Sequence, residues 1–290
     1  MAFEELMGLA NRLLTNAQAL AAVVARLRLD ELGEDGDPAV RAQLDRVVEA
    51  LGVREHLDGL EEGDRAVVAA FVRSYLAQAL DLVEEPARAG AWAYADPVLL
   101  RAQGSASAVV ARLVAEAGLG SPAARILDVG TGVGGLAIAF CRTFPDSTVV
   151  GVDPWEPALA IARENVAAAG LEDRVTLVAA RIEEFDDPAG FDLAWLPSFF
   201  IPEPVVDGAL ERIRSLLRPG GTLVVGATYA AGDDPLAAAV DDLFTVRSGG
   251  SVLTAEDALE GLGRAGYEQV EEVERAWQAP LRFVLGSRRG

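Results

Sequence analysis

The chain contains no lysine, so all 25 of its basic residues are arginine. Without a side-chain primary amine there is no Schiff-base chemistry and no lysine general base. Histidine and cysteine occur once each, as His56 and Cys141. That excludes an internal disulfide, a cysteine-built or multi-histidine metal site, and a Ser-His-Asp triad with any histidine to spare. No metal is expected. Cys141 sits in the apolar run LAIAFC and reads as an inert core thiol, and His56, in VREHLDGLEEGD, reads as an exposed loop residue.

Positive charge is scarce as well. Against 45 acidic residues the formal net charge is −20. Such a surface repels phosphate backbones and anionic headgroups, so neither nucleic acid nor membrane is an expected partner. Only Arg288 and Arg289, near the end of the chain, form a basic cluster. No apolar run is read as approaching the about 20 residues that span a bilayer. The start MAFEELMGLANR is acidic early and lacks a basic n-region, unlike a secretory signal, so the expected compartment is the cytoplasm. With so few reactive side chains, a cofactor is expected to carry most of the chemistry.

What is present is apolar residues, 51% of 290, enough for a large core. Apolar positions recur every three or four residues in LMGLANRLLTNAQALAAVVARLRL, PAVRAQLDRVVEALGV and DRAVVAAFVRSYLAQALDLVEE, predicting helices up to Pro86. A connector, PARAGAWAYADP, leads to one more helix beginning at Pro97 and closing near Gly118. From Arg125 short β-branched runs alternate with amphipathic segments: RILDV, STVVGVD, RVTLVAA, FDLAWLP and GTLVVGATY are strands, with helices between most of them. This alternation predicts a parallel sheet covered on both faces. YEQVEEVER and LRFVLGS are read as a closing antiparallel hairpin at the sheet edge. The division drawn from the sequence is a helical cap over residues 1–96 and an α/β domain over 97–290.

The stretch ILDVGTGVGG places glycines directly after the first strand. There they permit a tight turn and let main-chain N–H groups approach a ligand at the positive end of the next helix. Gly130, Gly132 and Gly135 satisfy the dinucleotide fingerprint G-x-G-x-x-G; Asp128, Gly130, Gly132 and Gly134 equally fit D-x-G-x-G-x-G. Asp153 ends the next strand in VVGVDPWEP, where a carboxylate accepts ribose hydroxyls under either reading. RPGGTLVV before the fifth strand and the closing hairpin narrow the choice.

In combination, ILDVGTGVGG, VVGVD, FDLAWLP and LRPGGTLVV resemble the class I S-adenosylmethionine (SAM) methyltransferase family over about residues 97–290. The resemblance implies a Rossmann-like, mostly parallel seven-stranded sheet with a helical N-terminal cap. It also implies SAM as methyl donor, with S-adenosylhomocysteine as product. Carried onto this chain, it places Gly130, Thr131, Gly132 and Gly134 against the methionine portion and ribose, with Asp128 near the amino group. Asp153 is implied to hold the ribose hydroxyls, and Pro154 and Trp155 to flank the adenine. Family members often have an acidic residue after the third strand. This chain departs by having Arg181 there, leaving Glu183, Glu184 or the Ile182 backbone to read the adenine.

Ligands in such folds collect at the carboxyl ends of the strands. WLPSFFIPEP is therefore expected to face the methyl group. It lacks the N-P-P-[YF] motif of some amino-group methyltransferases, which weighs against DNA-base and glutamine methylation. Leu196 is expected beside the cofactor, Pro197, Phe199 and Phe200 beside the acceptor, and Trp195 in the core or the same wall. From the connector and its helix, Tyr94 and Gln103 are expected to line the cleft and Arg101 to pair with the SAM carboxylate. The first reading is methyl transfer to a small molecule, set by the resemblance in bacterial specialised metabolism. A SAM enzyme with non-methylating chemistry, such as cyclisation of its aminobutyrate chain, and a noncatalytic SAM-binding protein are the alternatives. The long N-terminal helix offers a face for pairing as a homodimer.

Overall fold

The structure is a computed structural model that describes residues 2–92, 97–228, 234–277 and 281–290. Two compact units divide the chain, Met1–Glu84 and Glu85–Gly290.

The first unit is helical: α1 (Ala2–Leu32), α2 (Pro38–Leu51), α3 (Arg54–Asp58) and α4 (Glu62–Glu84). Asp37 starts α2 by accepting the Ala39 and Val40 N–H groups at 2.9 and 3.0 Å, with Pro38 preset for the first turn. α1 and α4 meet through Val24, Ala69, Val72 and Leu76. Asp45 on α2 receives both Arg26 (2.9 Å) from α1 and Arg54 (3.0 Å) from α3. The exposed His56 belongs to α3 and not to a loop. Within α4, Gly63–Glu84 is long and apolar enough to cross a membrane, where the sequence reading expected no such segment; its Ala, Val and Leu content offsets its few charges.

The second unit begins with α5 (Pro97–Ser107) and α6 (Val109–Glu116), where the sequence predicts one helix. The hydroxyls of Ser105 and Ser107 bond back to the carbonyls of Arg101 and Gln103, at 3.0 and 3.1 Å, a pattern that bends helices. β1 (Arg125–Val129), α7 (Gly135–Thr143), β2 (Thr148–Asp153), α8 (Glu156–Ala168), β3 (Val175–Ala179), β4 (Phe191–Pro197), α9 (Glu203–Leu216) and β5 (Leu217–Thr228) follow. They continue into α10 (Pro235–Arg247), α11 (Ala255–Arg264), β6 (Glu268–Glu272) and β7 (Leu281–Ser287).

The seven strands form one sheet in the order β3-β2-β1-β4-β5-β7-β6. All neighbours are parallel except β7, which runs antiparallel to both β5 and β6. The closing pair is thus inserted with β7 inside and β6 at the edge. Alternate residues feed two cores, as strand geometry requires. Leu127, Val129, Val152, Leu196 and Val225 face one side, and Ile126, Val149, Leu193, Trp195 and Val224 the other. Helix α10 was not read from the sequence, although Asp234 caps it and Pro235 opens it.

Candidate cofactor and acceptor site

The carboxyl end of β1 is where the chain first loses its sheet partners, and the glycine loop begins there. The Gly130 and Thr131 N–H groups donate to the Val152 carbonyl at 2.8 and 3.3 Å, holding the loop to the end of β2. Gly132 and Gly134 adopt φ of 53° and 77°, values that a side chain strains, and the Gly134 N–H closes the turn on the Thr131 carbonyl at 2.9 Å. A Cβ on Gly132 would meet nothing nearer than the Gly130 carbonyl at 3.9 Å. The loop therefore leaves room beside its second glycine.

Asp153 ties this loop to the next one. One carboxylate oxygen accepts the Gly132 N–H at 2.9 Å and the other the Trp155 N–H at 2.8 Å. Each oxygen keeps further acceptor capacity. Burial pushes the Asp153 pKa up, and the two N–H donors pull it back.

Asp128 lies deeper, 1% exposed, and accepts the Thr131 hydroxyl at 2.7 Å. Burial pushes its pKa up to about 7, the Thr131 hydrogen bond opposes that, and the Asp153 charge adds to it. Thr131 in turn fills the space over β2: a Cβ on Gly151 would sit 2.6 Å from the Thr131 hydroxyl oxygen. The glycine of VVGVD is thus required by the threonine of GTG, a pairing across strands that spacing within either motif does not show.

The other sequence-nominated residues are distributed as follows. Pro154 is exposed, and Trp155 is half-buried on a cluster of Leu100, Val133 and Ala158. The turn after β3 starts beside Asp153, whose carbonyl accepts the Ala180 N–H at 3.3 Å. Beyond it Arg181, Glu183 and Glu184 are exposed, while the Ile182 side chain enters the core. Leu196 is also a core side chain, so only its backbone reaches the strand end. Pro197 is buried with its Cγ 3.7 Å from where a Cβ on Gly130 would lie, bringing the end of β4 against the glycine loop.

Phe199 and Phe200 occupy a single 3-10 turn, Ser198–Phe200, half-buried with their ring centroids 4.9 Å apart. Trp195 is a core residue, 5.5 Å from the Phe283 ring. Arg101 pairs with Glu164 at 2.8 Å and donates to the Asn165 side-chain oxygen at 3.3 Å, both on α8. Gln103 is half-buried on α5, and Tyr94 lies outside the described residues. Among the described residues no cluster of histidine, cysteine and carboxylates is arranged to hold a metal.

Sequence reasoning passed over Gly104. A Cβ there would run into Val133, and one on Gly135 would run into the Gly104 backbone. This bare contact seats α5 on the first turn of α7. A glycine in mid-helix, costly by propensity alone, was the available signal.

The family described as methyltransferase domain matches residues 126–221. The chain is 31% identical over 152 residues to the methyltransferase GfsG of Streptomyces halstedii, covering 51% of this chain and 54% of that protein. It is 41% identical over 101 residues to the demethylmenaquinone methyltransferase of Thermus thermophilus, covering 35% of this chain and 46% of the relative. The chain thus spans about half the length of these curated relatives. Its fold is that of the S-adenosylmethionine-dependent methyltransferase SibL, solved in its apo form, with a TM-score of 0.67 at 24% identity, covering 96% of this chain and 98% of SibL.

Proposed function

We propose that this protein transfers a methyl group from SAM to a small-molecule acceptor, a reading supported by the match of residues 126–221 to a methyltransferase domain and by the fold shared with SibL. The observation that carries the reading is Asp153 bridging the Gly132 and Trp155 amides while the loop stays open beside Gly132.

The residues fit the donor. Asp128 is a buried carboxyl suited to an ammonium group, and the free lone pairs of Asp153 suit ribose hydroxyls. Trp155 and the Ile182 backbone are the residues offered to an adenine, with Pro154 and Arg181 at the exposed rim. When bound, SAM supplies a methyl group on a positively charged sulfonium, already activated for displacement. The protein's own part is orientation and exclusion of water. Pro197 sets the end of β4 against the loop, and the Phe199 and Phe200 rings supply an apolar wall that favours a planar acceptor.

A Streptomyces methyltransferase among the relatives supports a setting in bacterial specialised metabolism. The helical unit leaves Phe3, Leu6, Leu13, Phe71 and Tyr75 exposed, which supports pairing with a second copy of the chain. The acidic surface supports a cytoplasmic enzyme without nucleic-acid or membrane partners.

Incubation with SAM and a panel of planar phenols and amines tests the reading. S-adenosylhomocysteine is expected only when an acceptor is present. Methylthioadenosine formed from SAM alone would replace methyl transfer with cyclisation chemistry. Light scattering on the same preparation reads the oligomeric state, and a monomer would remove the pairing.

A further inference from the structure

Residues 85–92 form an irregular strap held down at several points. Arg247, the last residue of α10 and only 6% exposed, donates from Nη1 to the Arg88 carbonyl (2.9 Å) and from Nη2 to the Glu85 carbonyl (2.6 Å). Its own carbonyl accepts the Ala91 N–H at 3.2 Å. The backbones interlock beside it: a Cβ on Gly90 would run into the Val246 carbonyl, and one on Gly249 would lie 3.0 Å from the Ala91 Cα. A buried guanidinium is costly unless its donors are used, so this network selects one position of the strap.

The same turn reaches the aromatic wall. A Cβ on Gly250 would run into the Phe199 carbonyl. The Ser251 N–H and hydroxyl both donate to the Ser198 carbonyl, at 3.3 and 3.1 Å. The Ser198 hydroxyl donates to the Gly226 carbonyl of β5 at 2.8 Å. Contacts therefore run without a gap from the strap through residues 246–251 to the Phe199–Phe200 turn and the sheet.

Trp92 ends the described strap. Its side chain packs on the cluster of Leu100, Val133 and Ala158. Its ring also meets Phe200 edge-on, with centroids 5.5 Å apart and planes at 83°. Val133 belongs to the glycine loop, and Phe200 to the wall. The indole thus joins the cluster that holds the glycine loop's Val133 to the wall's Phe200.

We propose that Trp92 and Arg247 form a clasp that sets the aromatic wall against the glycine loop: Trp92 is a positioning residue between the two, and Arg247 is the lock that holds its strap. The inference rests on reading residues 130–134 as the SAM loop and Phe199–Phe200 as the acceptor wall. Loosening either member then slackens the wall and the cofactor loop together while the sheet stays intact.

The test combines hydrogen exchange and S-adenosylhomocysteine titration on the full chain, for Trp92→Ala, Arg247→Met, the double variant and Trp92→Phe. Each single variant is expected to speed exchange in 85–92 and 198–201 and to leave β1 protected. Each is expected to weaken S-adenosylhomocysteine binding about ten-fold, with the double variant no weaker than the worse single and Trp92→Phe largely restored. Unchanged exchange at 198–201 in Trp92→Ala, or losses that multiply in the double variant, would overturn the clasp. Trp92 is half-buried, so its truncation serves even if Arg247→Met folds poorly. If the unaltered protein does not bind S-adenosylhomocysteine, the cofactor reading fails on its own. Exchange at 198–201 in Trp92→Ala then decides the clasp alone: faster exchange supports it and unchanged exchange overturns it.

Discussion

The Asp153 carboxylate accepts the Gly132 amide at 2.9 Å, so the acid at the end of β2 fixes the loop at the end of β1. The residue implied to hold a ribose is therefore also part of the loop's scaffold. Asp153→Ala removes both functions. It is expected to weaken S-adenosylhomocysteine binding by roughly 1–3 kcal/mol and to speed amide exchange at Gly132, read by calorimetry and hydrogen exchange. Unaltered affinity would show that the ribose site lies elsewhere.

Asp128 gives the protein a pH dependence of defined sign. Its pKa in the folded state is raised from 3.8 to about 7, so the folded chain holds the proton over a range where the unfolded chain releases it. The stability it contributes is fully present below 3.8 and is lost as pH rises towards about 7. Denaturation midpoints of the ligand-free protein and of Asp128→Asn, followed from pH 4 to 8, check this. The difference between them is expected to change with pH across that window, with Asp128→Asn gaining relative stability as pH rises. A constant difference would contradict it. A cationic ligand group beside Asp128 favours the ionised form, so SAM affinity is expected to rise with pH towards about 7.

Thr131→Val keeps the shape over Gly151 but leaves the buried Asp128 without its hydroxyl donor. A stability loss of roughly 1–3 kcal/mol is expected in chemical denaturation, larger at alkaline than at acid pH because the charged carboxyl needs the donor more. Equal losses at both ends of the range would sink this account of the pair.

Gly104→Ala tests the seat of α5 on the glycine loop. The added methyl meets Val133 in a packed contact, and overpacking is expected to cost about 1–3 kcal/mol of stability and to weaken S-adenosylhomocysteine binding. A wild-type melting temperature and affinity would show that α5 shifts freely.

Arg101 separates two roles. Its pairing with Glu164 joins side chains 44% and 68% exposed, the kind of surface contact that contributes about 0–1 kcal/mol. Because the guanidinium is already engaged by Glu164 and Asn165, Arg101→Ala is expected to leave S-adenosylhomocysteine affinity little changed. A large loss would mean that the guanidinium leaves Glu164 for the ligand carboxylate.

The parts of the protein that were legible in the sequence are those specified by short-range pattern. RILDV, STVVGVD and FDLAWLP read as strands because each is a continuous β-branched or apolar run, and the glycines after Asp128 announce the loop. What escaped is set by contacts distant in sequence. Arg247 on the unread α10 looks like a surface cation until its carbonyl partners at Glu85 and Arg88 are seen, 162 and 159 residues away. Leu196 is expected beside the cofactor from its place in WLPSFFIPEP, and its side chain lies in the core at the end of β4. The split between α5 and α6 depends on serines bonding back to the helix, a choice that periodicity does not encode.

Titration of the purified full chain with S-adenosylhomocysteine by calorimetry tests the central claim most directly. The account predicts saturable binding at one site per chain, weakened in Asp153→Ala. A folded protein that releases or absorbs no binding heat at any temperature tried, and whose thermal stability the ligand does not shift, would contradict it.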